Sequence, residues 1–171
     1  MSTTDLTGPF AIAVAKLRRM LSLSTTFQLA RGVVNEQDAL SFIHTRDYRM
    51  NPERPLGIVH PGSTFGYQKV SGGAQYQLQP HGVVELYLSI DVPAEYQNDE
   101  IQADLFAADY FSNIITDIAA LSAAEDPESD TSHLDITNAD LSFYACTDKE
   151  DWPTIGQFYF AYILFQWGGE G

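Results

Sequence analysis

The stretch Phe158-Tyr-Phe-Ala-Tyr-Ile-Leu-Phe-Gln-Trp167 decides the fold. It is rich in aromatic and branched side chains, the composition of a β-strand. Side chains alternate across a strand, so Phe158, Phe160, Tyr162, Leu164 and Gln166 share one face, and Tyr159, Ala161, Ile163, Phe165 and Trp167 share the other. Both faces are apolar apart from Gln166. A strand of this kind is central to its sheet, or has its second face buried by a partner.

Further strands lie on either side of it in sequence. Leu134 to Thr147 forms the run before it, separated from it by the acidic Asp148–Asp151 and by Trp152-Pro153. Earlier, Pro55 to His60 reads as a short buried strand ended by Pro61-Gly62. Phe65 to Asp91 alternates as a meander, with turns expected at Gly72-Gly73 and at Pro80-His81-Gly82.

The helical signals are equally local. Phe10, Ala13, Val14, Leu17, Met20 and Leu21 recur every three or four residues, with Pro9 suited to a first turn that needs no amide donor. Phe27 to Ala30 reads as a helical turn stopped near Gly32, and Asn35 as the cap of a second short helix whose apolar face is Ala39, Leu40, Phe42 and Ile43. Asn98 to Ala124 is the longest helix, with Ile101, Leu105, Ala108, Phe111, Ile115, Ile118 and Leu121 as its expected buried stripe. The resulting class is α+β: a predominantly antiparallel sheet of five to six strands, with an N-terminal helix and one long helix packed on it. One domain over residues 1–171 is expected, with a helical segment over 9–44 and the sheet and long helix over 55–167.

Composition narrows the function. The chain has 171 residues, 44% of them hydrophobic and 12% aromatic, which suits a packed domain and excludes an acidic disordered tail. Its net charge of −14 repels phosphate and anionic lipid surfaces and disfavours tight DNA binding. That charge is unevenly spread: residues 1–60 hold seven basic and five acidic side chains, while the remainder holds only Lys69 and Lys149 against eighteen carboxylates. Such asymmetry suits contact between a basic patch on one subunit and an acidic face on its neighbour.

No run approaches the roughly 18 to 20 apolar residues of a membrane-spanning helix, and the polar N-terminus lacks the pattern of a signal peptide, so an intracellular product is expected. Cys146, the only cysteine, forms no internal disulfide. His44, His60, His81 and His133 fit no zinc spacing. His81 with Glu85 would pair on a helix, whereas their segment reads as strand. Nucleophile-elbow, phosphate-loop and dinucleotide patterns are missing, and no catalytic residue, cofactor or metal is assigned.

The helix containing Leu17-Arg-Arg-Met-Leu21, leading into Ser24-Thr-Thr-Phe-Gln28, is followed by Arg54-Pro-Leu-Gly-Ile-Val59, a Gly-rich meander, a long helix and a closing strand pair. This order resembles the tail-terminator (tail-completion) proteins of long-tailed bacteriophages. The resemblance implies a non-enzymatic virion protein that assembles, usually as a hexameric ring, on the end of the tail tube and offers the head-to-tail joining surface. The implied partners are further copies of the chain, the tail-tube protein and a neck connector. DNA would pass through the lumen unbound, no membrane is involved, and the location is the virion tail or neck, with assembly in the host cytoplasm. Charge picks the candidate subunit contacts: Arg18 and Arg19 on the first helix, Arg46, Arg49 and Arg54 on the following loop, and Asp148 with Asp151. Reversal of Arg49 or Arg54 is expected to weaken assembly without unfolding the subunit. Another neck or head-completion protein is the alternative, as is an acidic binding module with an aromatic platform that includes Tyr67, Tyr76, Tyr87 and Trp152.

Overall fold

The computed structural model describes residues 6–45, 54–70, 77–126, 131–132, 134–146 and 158–168. Helix α1 spans Pro9–Leu23 and buries Ala13, Leu17, Met20 and Leu21, so the helical period read from the sequence is the one that packs. Ser24 ends α1 and caps α2 (Thr25–Arg31), its Oγ accepting from the Phe27 amide at 3.2 Å. Gly32 closes α2 with a left-handed φ of 74°, which a side chain would disfavour. Asn35 caps α3 (Glu36–Leu40), as its position before Asp38 suggests. The expected apolar face of this helix is cut short, because Ile43 leaves it to begin the two-residue strand β1 (Ile43–His44), which pairs in parallel with the next strand.

Strands β2 (Leu56–Val70) and β3 (Gln77–Asp91) form one long antiparallel hairpin. Pro61-Gly62 and Pro80-His81-Gly82 do not end these strands, contrary to the turn reading. The ladder passes them by a register shift between Pro61 and Phe65. Each proline is tolerated because it faces no further strand among the described residues, Pro61 beyond the short β1 and Pro80 just past the last residue paired with β7. Gly62 and Gly82 mark close approach of the two strands: a Cβ on Gly62 would strike the Val83 carbonyl, and one on Gly82 would strike the Phe65 ring.

A 3-10 turn at Ala94–Tyr96 leads into α4 (Glu100–Ser122), capped by Asp99. The acidic segment after α4 contains a small two-stranded ribbon, β4 (Glu125–Asp126) with β5 (Thr131–Ser132). Strand β6 (Ile136–Cys146) and the decisive strand β7 (Phe158–Gly168) complete the main sheet, whose order is β1-β2-β3-β7-β6. Among the described strands only the β1–β2 pairing is parallel, and β7 lies between β3 and β6, the central one of the two positions its composition allows.

Both long helices cover the same side of this five-stranded sheet. Val59, Leu86, Ile163 and Leu141 line up across the strands beneath them. Leu17, Phe27, Phe111 and Ile118 come down from the helices into the same core. Burying each such side chain stabilises the fold by about 1.5–3 kcal/mol. Phe10 of α1 stacks on Phe65 with ring centroids 4.4 Å apart, which fixes the helix over the hairpin.

The buried stripe of α4 is Ala103, Ala107, Tyr110, Phe111, Ile114 and Ile118. Phe111 and Ile118 match the expected stripe, whereas Ile101 and Leu105 are 71% and 58% exposed. Two stripes of the same period compete on this helix, and contact with α1, α2 and β6 selects the one rich in alanine, which allows close packing.

Candidate interaction surface

Among the described residues no helix covers the second side of the sheet. This side is still largely apolar: Leu56 and Ile58 on β2, both buried, Val83 and Tyr87 on β3 and Phe158, Phe160, Tyr162 and Leu164 on β7, all partly buried, and the exposed Tyr144 on β6. The register stacks their rings. Tyr87 lies 4.9 Å from Tyr162 and 5.7 Å from Phe160, and Phe160 lies 5.6 Å from Tyr144, centroid to centroid. Beside them Arg54, Leu56, Ile58 and Phe158 line a shallow open depression of about 200 Å³.

One carboxylate organises the middle of this surface. Glu85 accepts hydrogen bonds from the Tyr87 and Tyr162 hydroxyls, each at 3.0 Å, and its Oε2 lies 3.6 Å from His60 Nδ1 on the adjoining strand. Burial, then the hydrogen bond and charge of Glu85, push both tyrosine hydroxyls above their ordinary pKa, so they remain donors at neutral pH. Glu85 is thus tied to its neighbours as a structural acceptor, and His60, opposite it in the ladder, is the histidine it faces most closely.

The arginines expected at a subunit contact are largely engaged within the chain. Arg18 donates from Nε to the Ile43 carbonyl at 3.1 Å and from Nη2 to the Leu40 carbonyl at 2.9 Å, tying α1 to the end of α3. Arg19 meets Glu36 at 2.9 Å. The Arg54 guanidinium sits 3.6 Å above the Phe158 ring and donates to Asp91 at 3.1 Å, so it anchors the entry of β2 at the edge of the aromatic surface. Arg18 and Arg19 also border an apolar groove of about 510 Å³ between α1 and α3, lined by Phe10, Val14, Leu40, Pro61 and Phe65. Arg46, Arg49, Asp148 and Asp151 lie outside the described residues.

The aromatic platform read from the sequence divides in two. Tyr87 belongs to the uncovered face, whereas Tyr67 is on the helix side, 5.6 Å from Phe10; Tyr76 and Trp152 lie outside the described residues. Cys146 is partly buried beside Phe158, where burial pushes the thiol pKa up and the nearby Arg54 opposes that, which suits a quiet thiol. The role of Glu85 was missed in the sequence, although a charged residue between Val84 and Leu86 was its visible mark. The exposure of Ile101 and Leu105 had no such mark.

In comparisons with known proteins, the chain matches no protein-family model and no curated protein.

Proposed function

We propose that this chain is a structural subunit of a phage tail: a tail terminator that forms a ring on the end of the tail tube and presents the head-to-tail joining surface. The observation that carries the reading is the apolar face of the main sheet that no helix covers among the described residues, with Tyr87, Tyr144, Phe160 and Tyr162 clustered on it. An aromatic cluster on a sheet face with no described helix over it suits a surface completed by another protein. The tail-tube protein or the neck connector covers it in the finished virion.

The charge distribution agrees with that role. A basic N-terminal third next to an acidic remainder allows unlike surfaces of identical subunits to meet, the geometry that closes into rings. A ring channel lined by carboxylates repels the DNA backbone and lets the genome pass without phosphate contacts that would hold it. The subunit itself has no catalytic work to do, needs no cofactor, and is found in the virion neck after assembly in the host cytoplasm.

Light scattering and electron microscopy of the purified chain test the reading. A closed ring of about six subunits with an open lumen is the expected result. Failure to form a ring, alone or when mixed with tail tubes from the same phage, would count against it. The same aromatic cluster also favours a second reading, a binding module for a peptide or sugar, which predicts a persistent monomer that binds such a ligand on the Tyr87–Tyr162 face.

A further inference from the structure

The β2–β3 hairpin is longer than the sheet. Strand β7 pairs with β3 only from His81 onward, so Gly66–Val70 and Gln77–Pro80 project past it as a two-stranded arm. Register sets Lys69 opposite Leu78 and Tyr67 opposite Pro80, which gathers Tyr67, Lys69 and Leu78 on one face of that arm. Leu78 is 65% exposed and Tyr67 53% exposed. The other face carries Gln68 and Gln79.

The far end of the molecule carries the complementary surface. Ile101 and Leu105 stand one turn apart on the first turns of α4 and are both exposed. Glu100, Asp104 and Asp109 flank them, and α4 contains no lysine or arginine. Asp104 accepts a hydrogen bond from Tyr159, whose partner across the ladder is Ile90, which fixes this end of α4 near the close of β3. Leu78 and Asp91 are thirteen residues apart along one strand, so the two surfaces are separated by about 40 Å at roughly 3.3 Å per residue. They cannot meet within one copy.

We infer that the arm of one copy docks on the α4 surface of the next, with Leu78 and Tyr67 packing on Ile101 and Leu105 and Lys69 facing Asp109 and Glu100. The occupant is a second copy because each surface is apolar at its centre and opposite to the other in rim charge. The contact joins unlike ends, so every copy retains one free arm and one free α4 surface until a ring closes. This inference rests on the ring reading and specifies the contact that makes the ring.

Leu78→Asp damages only the arm and Leu105→Asp only the α4 surface. Both positions are exposed, so circular dichroism is expected to show native folding. Light scattering should find each variant alone monomeric where the wild-type chain assembles. An equimolar mixture should form a species of two subunits and grow no further, since the intact arm of Leu105→Asp meets the intact α4 of Leu78→Asp. Assembly of either variant at wild-type strength, or a mixture that stays monomeric, overturns the docking and leaves the ring reading standing. A wild-type chain that never assembles, alone or with tail tubes, overturns both. As a second readout, Lys69→Glu should weaken assembly tenfold or more and Asp109→Lys should restore much of that loss; no rescue counts against the charge pairing.

Discussion

Ser24 and Asp117 show how much a single polar pair carries at the residue scale. Ser24 is buried, caps α2 and donates to Asp117 Oδ2 at 2.7 Å, while the Thr26 amide donates to the same oxygen at 3.1 Å. Burial raises the pKa of this carboxyl, but the hydrogen bonds from Ser24 and Thr26 outweigh it and hold the group below its ordinary value. A depressed carboxyl contributes stability above the unfolded pKa near 3.9 and loses it as pH falls through the lower folded value. Asp117→Ala should cost about 1–2 kcal/mol in urea denaturation at pH 7. The gap between variant and wild type should narrow below about pH 4. Arg54 gives a second test. Because its guanidinium stacks on Phe158 and pairs with Asp91, Arg54→Glu would set two carboxylates together and remove the stacking. The expected outcome is a thermal midpoint several degrees lower, from a loss of about 2 kcal/mol. The subunit is expected to stay folded, with this lower stability.

Helix α4 shows the same logic at the scale of an element, since its two apolar stripes differ in what touches them. Phe111 is fully buried and packs 5.7 Å from the Phe143 ring, so Phe111→Ala should destabilise the monomer by about 3–5 kcal/mol. Ile101→Ser, a substitution of like chemistry on the exposed stripe, should change stability by only about 0.5 kcal/mol. Chemical denaturation of the two variants side by side checks the contrast, and equal losses would mean that Ile101 is covered within the subunit. The long hairpin was legible only in part. Its alternation was plain, but Pro61, Gly62, Pro80 and Gly82 read as stops because a local pattern does not reveal which strand edges are free and where two backbones must come close.

Charge acts at the scale of the whole molecule. The acidic excess lies beyond residue 60, and the arm carries Lys69 out of that region on a projecting face. An assembly held by opposite charges around an apolar centre weakens with salt, since the screening length falls from about 10 Å at 0.1 M to about 3 Å at 1 M. Light scattering at low and high sodium chloride should therefore show a larger dissociated fraction at high salt. Strengthened assembly under those conditions would assign the contact to apolar burial alone. The sheet face away from the helices behaves differently, because Glu85 is tied to Tyr87 and Tyr162 and the surface around it is mainly aromatic.

Periodicity and composition by themselves determined the α+β class, the first and longest helices, the cap at Asn35, and Phe158–Trp167 as a strand that is either central or covered on its second face. These are local or nearest-neighbour properties of the chain: an alternation of period two, a recurrence of period 3.6, a side chain able to accept an amide hydrogen bond. Tertiary structure decided which side of the sheet the helices cover, which stripe of α4 is buried, and that Arg18, Arg19 and Arg54 serve the subunit's own packing. Those outcomes depend on the free energy of contacts between segments far apart in sequence. A residue pattern shows that a face is apolar; only the folded chain shows whether that face already has a neighbour.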